Sequence, residues 1–415
     1  MGEKRSTMGM TAFMVREFDP NKDWKEVEEV ERRCEVGHAS KMSLFTNLLG
    51  DPICRIRHSP PYLMLVAEME QEGERKIVGM VRGCIKTVSC GGRKLFRNGS
   101  SNGDGENDPT KIISPIYAKV ASILGLRVCP SHRRIGIGLA LVKKMEAWFI
   151  HNGAEYSYIT TEKDNQASLN LFLLKCSYSK FRTPSMLVRP VYAHRVKIPN
   201  RVSIFELDHL EAESLYRARF SATEFFPRDI DCILNNKLNL GTFVAMPTGS
   251  WPGSGRLLAD PPESWAVVSI WNCKETFTLE VKGAPRALQW IAKATRAADR
   301  LLPFLGIPSV PQLFKPFGFH FLYGLGGEGP RAGRMMEALC AHAHNLAKEM
   351  GCAVVATEVA SRDPLRPAIQ HWKRLSCEED VWCMKRLVEG YSDGPVGDWT
   401  YSQPGFSIFV DPREV

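Results

Sequence analysis

The stretch SHRRIGIG (131–138) sets Arg133, Arg134, Gly136 and Gly138 directly before an apolar-periodic run, LALVKKMEAWF. Glycine inside a helix costs about 1 kcal/mol relative to alanine, so two of them at a helix start need a chemical reason. The first amides of a helix lack intrahelical partners, point along the axis and carry about half a positive charge. Glycines let a large anion approach that backbone, and successive turn amides form an anion-binding concavity. With two arginines at the rim, the segment reads as a cradle for a diphosphate. A dinucleotide fingerprint needs a small third residue where Leu141 stands, within parallel strand–helix–strand order. A phosphate-binding P-loop needs Gly-Lys-Ser/Thr, which is absent.

Metal chemistry finds no support. The twelve cysteines are scattered, several within apolar runs, with no C-x-x-C pair. They read as reduced, buried thiols of an intracellular protein. His342 and His344 stand two residues apart, which on a helix points them to different sides.

The elements around the cradle follow from periodicity. FMVREF (13–18) reads as a strand, and NKDWKEVEEVERRCEV as an amphipathic helix. YLMLVAEM (62–69) and KIVGMVRGCIKTVS (76–89) read as a hairpin, and 91–111 as a mobile loop. ILGLRV (123–128) is a strand leading into the cradle, whose helix Asn152-Gly153 stops. YSYITT (156–161), a short helix over 166–176 and SMLVRPVY (185–192) close the first sheet. In the second half, strands are expected at 203–208, 241–246, 264–272, 318–326, 352–359 and 381–387. Helices are expected within 214–239 and at 287–302, 330–350 and 369–375. Both halves carry a glycine-containing turn, a long helix, a glycine stop, then a strand with Thr-Glu near its end (Thr161-Glu162, Thr357-Glu358). That order reads as an internal duplication. The chain divides into a disordered N-terminus (1–12), two α+β domains (13–195 and 196–390), each a mixed sheet flanked by helices, and a looped tail (391–415).

Lys and Arg number 54 against 46 Asp and Glu, giving +8, but the positive charge is dispersed and marks no nucleic-acid-binding face. No run is apolar enough to span a membrane, and the N-terminus lacks a signal-peptide core. Gly2 and Ser6 match the loose myristoylation pattern, which is too short to carry weight. The expected setting is nucleus or cytoplasm.

Arg133-Arg134-Ile135-Gly136-Ile137-Gly138 after LGLRV resembles the R-x-x-G-x-G acetyl-CoA loop of the GNAT N-acetyltransferase superfamily. Asn165-Gln166-Ala167-Ser168-Leu169-Asn170-Leu171-Phe172 resembles its second cofactor motif, Asn-x-x-Ala-x-x-Leu-Tyr, with Ser168 in place of alanine. The stretches EVERRCEVG, LLGDPICRIRHSP, ATEFFPRDID and FVDPRE extend the resemblance over nearly the whole chain, to the plant HOOKLESS type of N-acetyltransferases. The resemblance implies tandem GNAT-like acyltransferase domains, the second degenerate, with acetyl-CoA as co-substrate and no metal. It places the cofactor where strand 123–128 splays from strand 156–161. Leu126, Arg127 and Val128 would pair with the pantetheine arm, Arg133 through Gly138 would hold the diphosphate, and Asn165 and Phe172 would line the far side. Asn165 reads equally well as a helix cap.

The implied chemistry is acetyl transfer to an amine, with the Val128 N–H stabilising the oxyanion. A base must deprotonate the ammonium. Strand 123–128 carries no carboxylate, so Glu162 is the first candidate, ahead of Glu68 and Tyr158. Phe172 occupies the place of the family's tyrosine acid and cannot donate a proton. The acceptor is expected to be a protein amine, such as a histone lysine, rather than a small molecule, and the resemblance implies a role in ethylene- and auxin-linked differential growth. The competing reading is a catalytically lapsed acetyl-CoA-binding regulator. Glu328, in the second half's GLGGEGPRAG, would oppose a phosphate.

Overall fold

The computed structural model describes residues 13–36, 42–71, 73–95, 112–388 and 397–415. The expected disordered N-terminus and residues 96–111 of the expected loop lie outside them. The first half contains β1 (Phe13–Glu17), α1 (Trp24–Arg33), β2 (Ser43–Asn47), β3 (Tyr62–Gln71), β4 (Glu74–Leu95) and β5 (Ile112–Val128). After α2 (Ile137–His151) come β6 (Tyr156–Glu162), α3 (Gln166–Leu169) with a π-helical continuation over Asn170–Lys175, and β7 (Ser179–Arg182). Next are β8 (Ser185–Pro190), β9 (Val202–Leu207), α4 (His209–Phe220), α5 (Ile230–Leu234), β10 (Asn239–Pro247), β11 (Trp265–Asn272) and β12 (Thr278–Lys282). Then follow α6 (Arg286–Leu301), β13 (Phe319–Glu328), α7 (Ala332–Glu349), β14 (Val354–Val359) and β15 (Asp380–Arg386).

Two mixed sheets dominate, in strand order β1-β3-β4-β5-β6-β15-β7 and β8-β14-β13-β11-β10-β9. The α+β architecture is as expected, but the halves exchange strands. SMLVRP, expected to close the first sheet, is β8 and pairs with β14. VWCMKR, expected to stay in the second half, lies in β15 between β6 and β7. The apolar pattern of a strand reports burial and is silent about which sheet receives it. Thr183-Pro184 separates β7 from β8, and proline cannot donate to a ladder, so the chain leaves the first sheet there. β15 then buries Trp382 and Met384 in the core between the halves and Val381 and Cys383 beneath α2. β2 and β12, short strands unforeseen in the sequence, form a further antiparallel link between the halves.

The duplication is visible in the backbone. β5 and β6 pair in parallel from Val120↔Tyr156 to Ile123↔Ile159, and β13 and β14 from Phe319↔Val354 to Leu322↔Thr357. Past these pairs each parallel couple parts, at a strand glycine with positive φ, Gly125 (+55°) and Gly324 (+62°). α2 covers the first sheet through Ile137, Leu141, Val142, Met145 and Phe149; α7 covers the second through Met335, Met336, Leu339 and Ala343.

Two expectations are corrected. The segment 369–375 is turn, not helix. The described part of the tail, residues 397–415, is irregular yet docked: Trp399 is 1% exposed, Phe409 and Val410 are buried, and Phe409 N–H donates to Glu224 O at 2.9 Å. Apolar residues in that Pro/Gly-rich context carry no periodicity to announce their burial. Among the described residues no helix is long and apolar enough to cross a membrane.

Candidate active site

Beyond Ile159, β6 continues against β15, from Thr160↔Trp382 to Glu162↔Asp380, whereas β5 stays on β4, through Met80↔Arg127 and Gly79↔Val128. The gap expected between these strands is therefore present. Cys129 N–H donates to Val78 O at 2.8 Å. Successive strand amides alternate in direction, so the N–H groups of Val128 and Leu126 face the gap. A buried ion cluster braces the bend. Arg82, with no exposure, sits against Gly125, where a Cβ would lie 2.6 Å from its Nη1. Glu31 accepts from Arg82 at 3.2 Å and from Arg127 Nε at 3.1 Å. Burial opposes ionisation of Glu31, but Arg127 and Arg82 hold its carboxyl below the ordinary value. The Arg127 side chain, expected at the cofactor, is thus committed to Glu31.

The cradle turn is open. Arg134 (φ +71°) and Gly136 (φ +94°) adopt left-handed backbone, and α2 begins at Ile137. Among the described residues, the amides of residues 133–139 have no acceptor. Arg134, Ile135 and Gly136 are exposed. A Cβ on Gly136 would meet nothing within 4 Å, and one on Gly138 only ordinary contacts at 3.5 and 3.8 Å. A donor-only, water-accessible turn at a helix N-terminus fits a diphosphate. Arg133 is turned back, its Nε donating to Val128 O at 3.1 Å and its Nη2 approaching Glu35 at 3.4 Å, so it braces the turn against the strand.

The corresponding turn of the second half is closed. A Cβ on Gly329 would lie 1.9 Å from Glu263 O, Arg331 N–H donates to Ser264 Oγ at 3.1 Å, and Ala332 N–H to Gly329 O at 3.1 Å. Its strand gap is lined by Tyr216, Phe220, Asp363 and the tail residues Ile408 and Phe409. Glu328 stands at its rim near Arg219, at 3.6 Å. With the Arg331 and Ala332 amides taken, this turn lacks the unbroken run of free amides found at residues 133–139.

The remaining expected site residues separate. Asn165 Oδ1 accepts from Ser168 N–H at 3.2 Å, capping α3. Phe172 is 3% exposed and packs edge-on to Tyr178, ring centres 5.2 Å apart. Glu68 is tied to Arg16 near the β1 edge, two strands from the gap, and is no candidate base. Glu162 ends β6 opposite Asp380. Burial and the charge of Glu162 push Asp380 up to about 7; burial and then Asp380 push Glu358 up to about 8. A carboxyl whose folded value lies above its unfolded one stabilises the fold at low pH, and that stability drains as pH rises from the unfolded towards the folded value. Glu358→Gln, which still accepts from Trp382 Nε1 (2.8 Å here), is therefore expected to raise the melting temperature at about pH 8 and leave it nearly unchanged at about pH 4. Parallel melts at the two pH values check this.

Tyr158 is buried, and its hydroxyl donates to Glu414 of the tail. Glu414 and Asp411 face Lys86 at 2.9 and 3.4 Å. Arg413 joins Asp411 to Asp229, both at 2.7 Å. Burial disfavours the Lys86 ammonium, yet Glu414 and Asp411 keep its pKa above the ordinary value. Sequence reasoning missed this group. Its only trace is the charged ending DPRE after the apolar FV. Among the described residues no cluster of His, Cys, Asp or Glu could hold a metal.

Residues 24–178 match the model of the acetyltransferase (GNAT) family. The chain is 64% identical to the probable N-acetyltransferase HLS1 of Arabidopsis thaliana, over 97% of this chain and 99% of that one. It is 39% identical to the acetyl transferase GW6a of Oryza sativa subsp. japonica, over 99% of each. Saccharomyces cerevisiae N-myristoyltransferase with bound myristoyl-CoA shares the fold at 10% identity, TM-score 0.54, over 91% of this chain and 79% of that one. A GCN5-related glucosamine N-acetyltransferase region of a fungal enzyme does so at 13% identity, TM-score 0.50, over 90% of this chain and 38% of that one. An open helix-start turn beside parted parallel strands, together with near-full-length identity to a named N-acetyltransferase, places this chain in the GNAT acetyltransferase family, with the HLS1-type probable N-acetyltransferases as its relatives.

Proposed function

We propose that the protein transfers the acetyl group of acetyl-CoA to an amine of a protein, a histone lysine among the candidates. The observation that carries this reading is the run of unpartnered amides at residues 133–139, beside the gap between β5 and β6. Amides from Arg133 through Gly138 hold the diphosphate. The pantetheine arm enters the gap as a surrogate strand on the backbone of Leu126 and Val128. The Val128 N–H meets the carbonyl oxygen as negative charge develops there, where a single preorganised donor contributes about 10²–10³ in rate. The amine nitrogen attacks, the C–S bond breaks, and the thiolate leaves without the tyrosine acid that Phe172 replaces. Asn165 closes the far side by capping α3. Twelve free thiols fit a reducing intracellular setting, nucleus or cytoplasm, and the HOOKLESS resemblance supports ethylene- and auxin-linked growth control as the biological role.

Titration of the purified protein with acetyl-CoA, alongside transfer of labelled acetyl to histones, lysine peptides and small amines, tests this. Binding with transfer to protein amines is expected. Binding without transfer gives the regulator reading, which the absence of a carboxylate on strand 123–128 favours. No binding overturns both.

A further inference from the structure

An amine reaches the enzyme as an ammonium, with a pKa of about 10.4 for lysine, and must lose a proton before it can attack. The strand that leads into the cradle offers no base. The structure brings one from elsewhere. α2 and its cradle occupy one face of the first sheet, with Ala121, Ile123 and Ile159 beneath them. A cofactor anchored there and threaded between β5 and β6 presents its acyl group to the opposite face. On that face, Ser122 and Tyr158 form the pair one register step before the last β5–β6 pair, Ile123↔Ile159. The tail lays the Glu414 carboxylate on this spot. Tyr158 donates to Oε2, Lys86 Nζ lies 2.9 Å from Oε1, and Cys84 Sγ lies 3.6 Å from Oε1.

Charged groups surround this carboxylate, and Glu358 also lies within range of its charge. Lys86 and Arg413 face three carboxylates, Asp229, Asp411 and Glu414. Tyr158 and Cys84 add no charge, since burial pushes both well above their ordinary values. Arg55 is turned to the Val415 carbonyl at 3.4 Å, within reach of Glu31's charge. Asp229 and Asp411 are bound by Arg413. The Glu414 side chain keeps 11% exposure, and a carboxylate holding two or three donors retains lone pairs for another.

We propose that Glu414 is the base of the transfer reaction; this rests on the acetyltransferase reading above. One ammonium N–H bond breaks and its proton passes to Glu414. The freed nitrogen lone pair forms the C–N bond to the thioester carbon. The C–S bond then breaks with its electron pair going to sulfur, and the second nitrogen proton goes to the thiolate. Glu414 releases its proton to water, leaving amide, CoA thiol and one proton in solution. Tyr158 and Lys86 are positioning residues that aim the carboxylate.

The test is steady-state acetyl transfer by the full chain as a function of pH, with a direct acetyl-CoA titration. Glu414→Gln is expected to lower kcat by about 100-fold or more, to leave acetyl-CoA affinity within about twofold, and to remove the acid limb of the kcat profile. Glu414→Asp keeps the pairing with Lys86 and is expected to lose about tenfold in kcat, with the acid limb retained. A folded Glu414→Gln protein with kcat within about threefold of wild type overturns the assignment, as does a loss wholly accounted for by weaker acetyl-CoA binding. Should Glu414→Gln fail to fold, a Glu414→Asp protein with unaltered kcat overturns it equally. Wild-type protein that binds acetyl-CoA yet acetylates no amine overturns the transfer reading itself, and Glu414 with it.

Discussion

Glutamate in place of Gly136 is expected to abolish acetyl-CoA binding, and acetyl transfer with it, in a protein that still folds. The site accommodates the bulk, because nothing lies within 4 Å of a Cβ at this position. The backbone, at φ +94°, charges a non-glycine residue about 1–2 kcal/mol, which a typical stability of 5–15 kcal/mol absorbs. The effect comes from charge. A carboxylate about 4 Å from a phosphate oxygen near a protein surface costs about 4 kcal/mol, close to a thousandfold in affinity. It also fills the space that the anion needs. Calorimetric titration and a thermal melt separate loss of binding from loss of fold. Gly136→Ala is the control: it bears the strain alone, and its affinity should fall by about thirtyfold at most. Wild-type affinity in Gly136→Glu would remove this turn from the cofactor site.

The second large effect concerns where the chain can be cut. A fragment of residues 13–195, the extent that the sequence pattern assigns to the first domain, is expected to lack a stable fold. It has no β15, so β6 and β7 lose the strand between them. Trp382 and Met384 leave one side of the sheet, Val381 and Cys383 the other. Fully burying such a side chain contributes about 1.5–3 kcal/mol, so four together match the whole stability of an ordinary domain. Lys86 loses the tail's Asp411 and Glu414, and the β4 face that it shares with Val88 loses the second-half and tail residues that cover it, so part of the core between the halves opens to water. The fragment's own last strand, β8, meanwhile has no β14 to pair with. Near-UV circular dichroism and an acetyl-CoA titration on fragment and full chain decide the matter. A fragment with native side-chain signals and full-chain affinity would show that the exchanged strand is dispensable.

What could be read from the sequence divides along a physical line. The cradle was legible because its information is local: glycine spacing, helix periodicity and an amide-rich turn all lie within a few residues of one another. The parting of β5 from β6 was expected from the family resemblance that these motifs carry, not from the residues themselves. Strand partners were not legible, since β8 and β15 have the buried, β-rich composition that suits either sheet. The ion cluster of Glu31, Arg82 and Arg127 was also hidden, being assembled from a helix and two strands far apart in sequence. Glu414 was hidden most completely. Nothing in DPRE says that an irregular tail will travel back to Tyr158.

The strand exchange also has a consequence for synthesis on the ribosome. When residue 195 has emerged, every element of the first sheet except β15 is available, yet β6 presents Tyr156–Glu162 as an open edge that must wait for some 185 further residues. At about 5–20 residues per second that interval lasts roughly ten to forty seconds. An unpaired, β-prone strand edge held for that time is a template for pairing with neighbouring nascent chains. The last strand therefore acts as a maturation step: until it slots between β6 and β7 the edge stays open, and translational pauses upstream of Asp380 lengthen its exposure to aggregation.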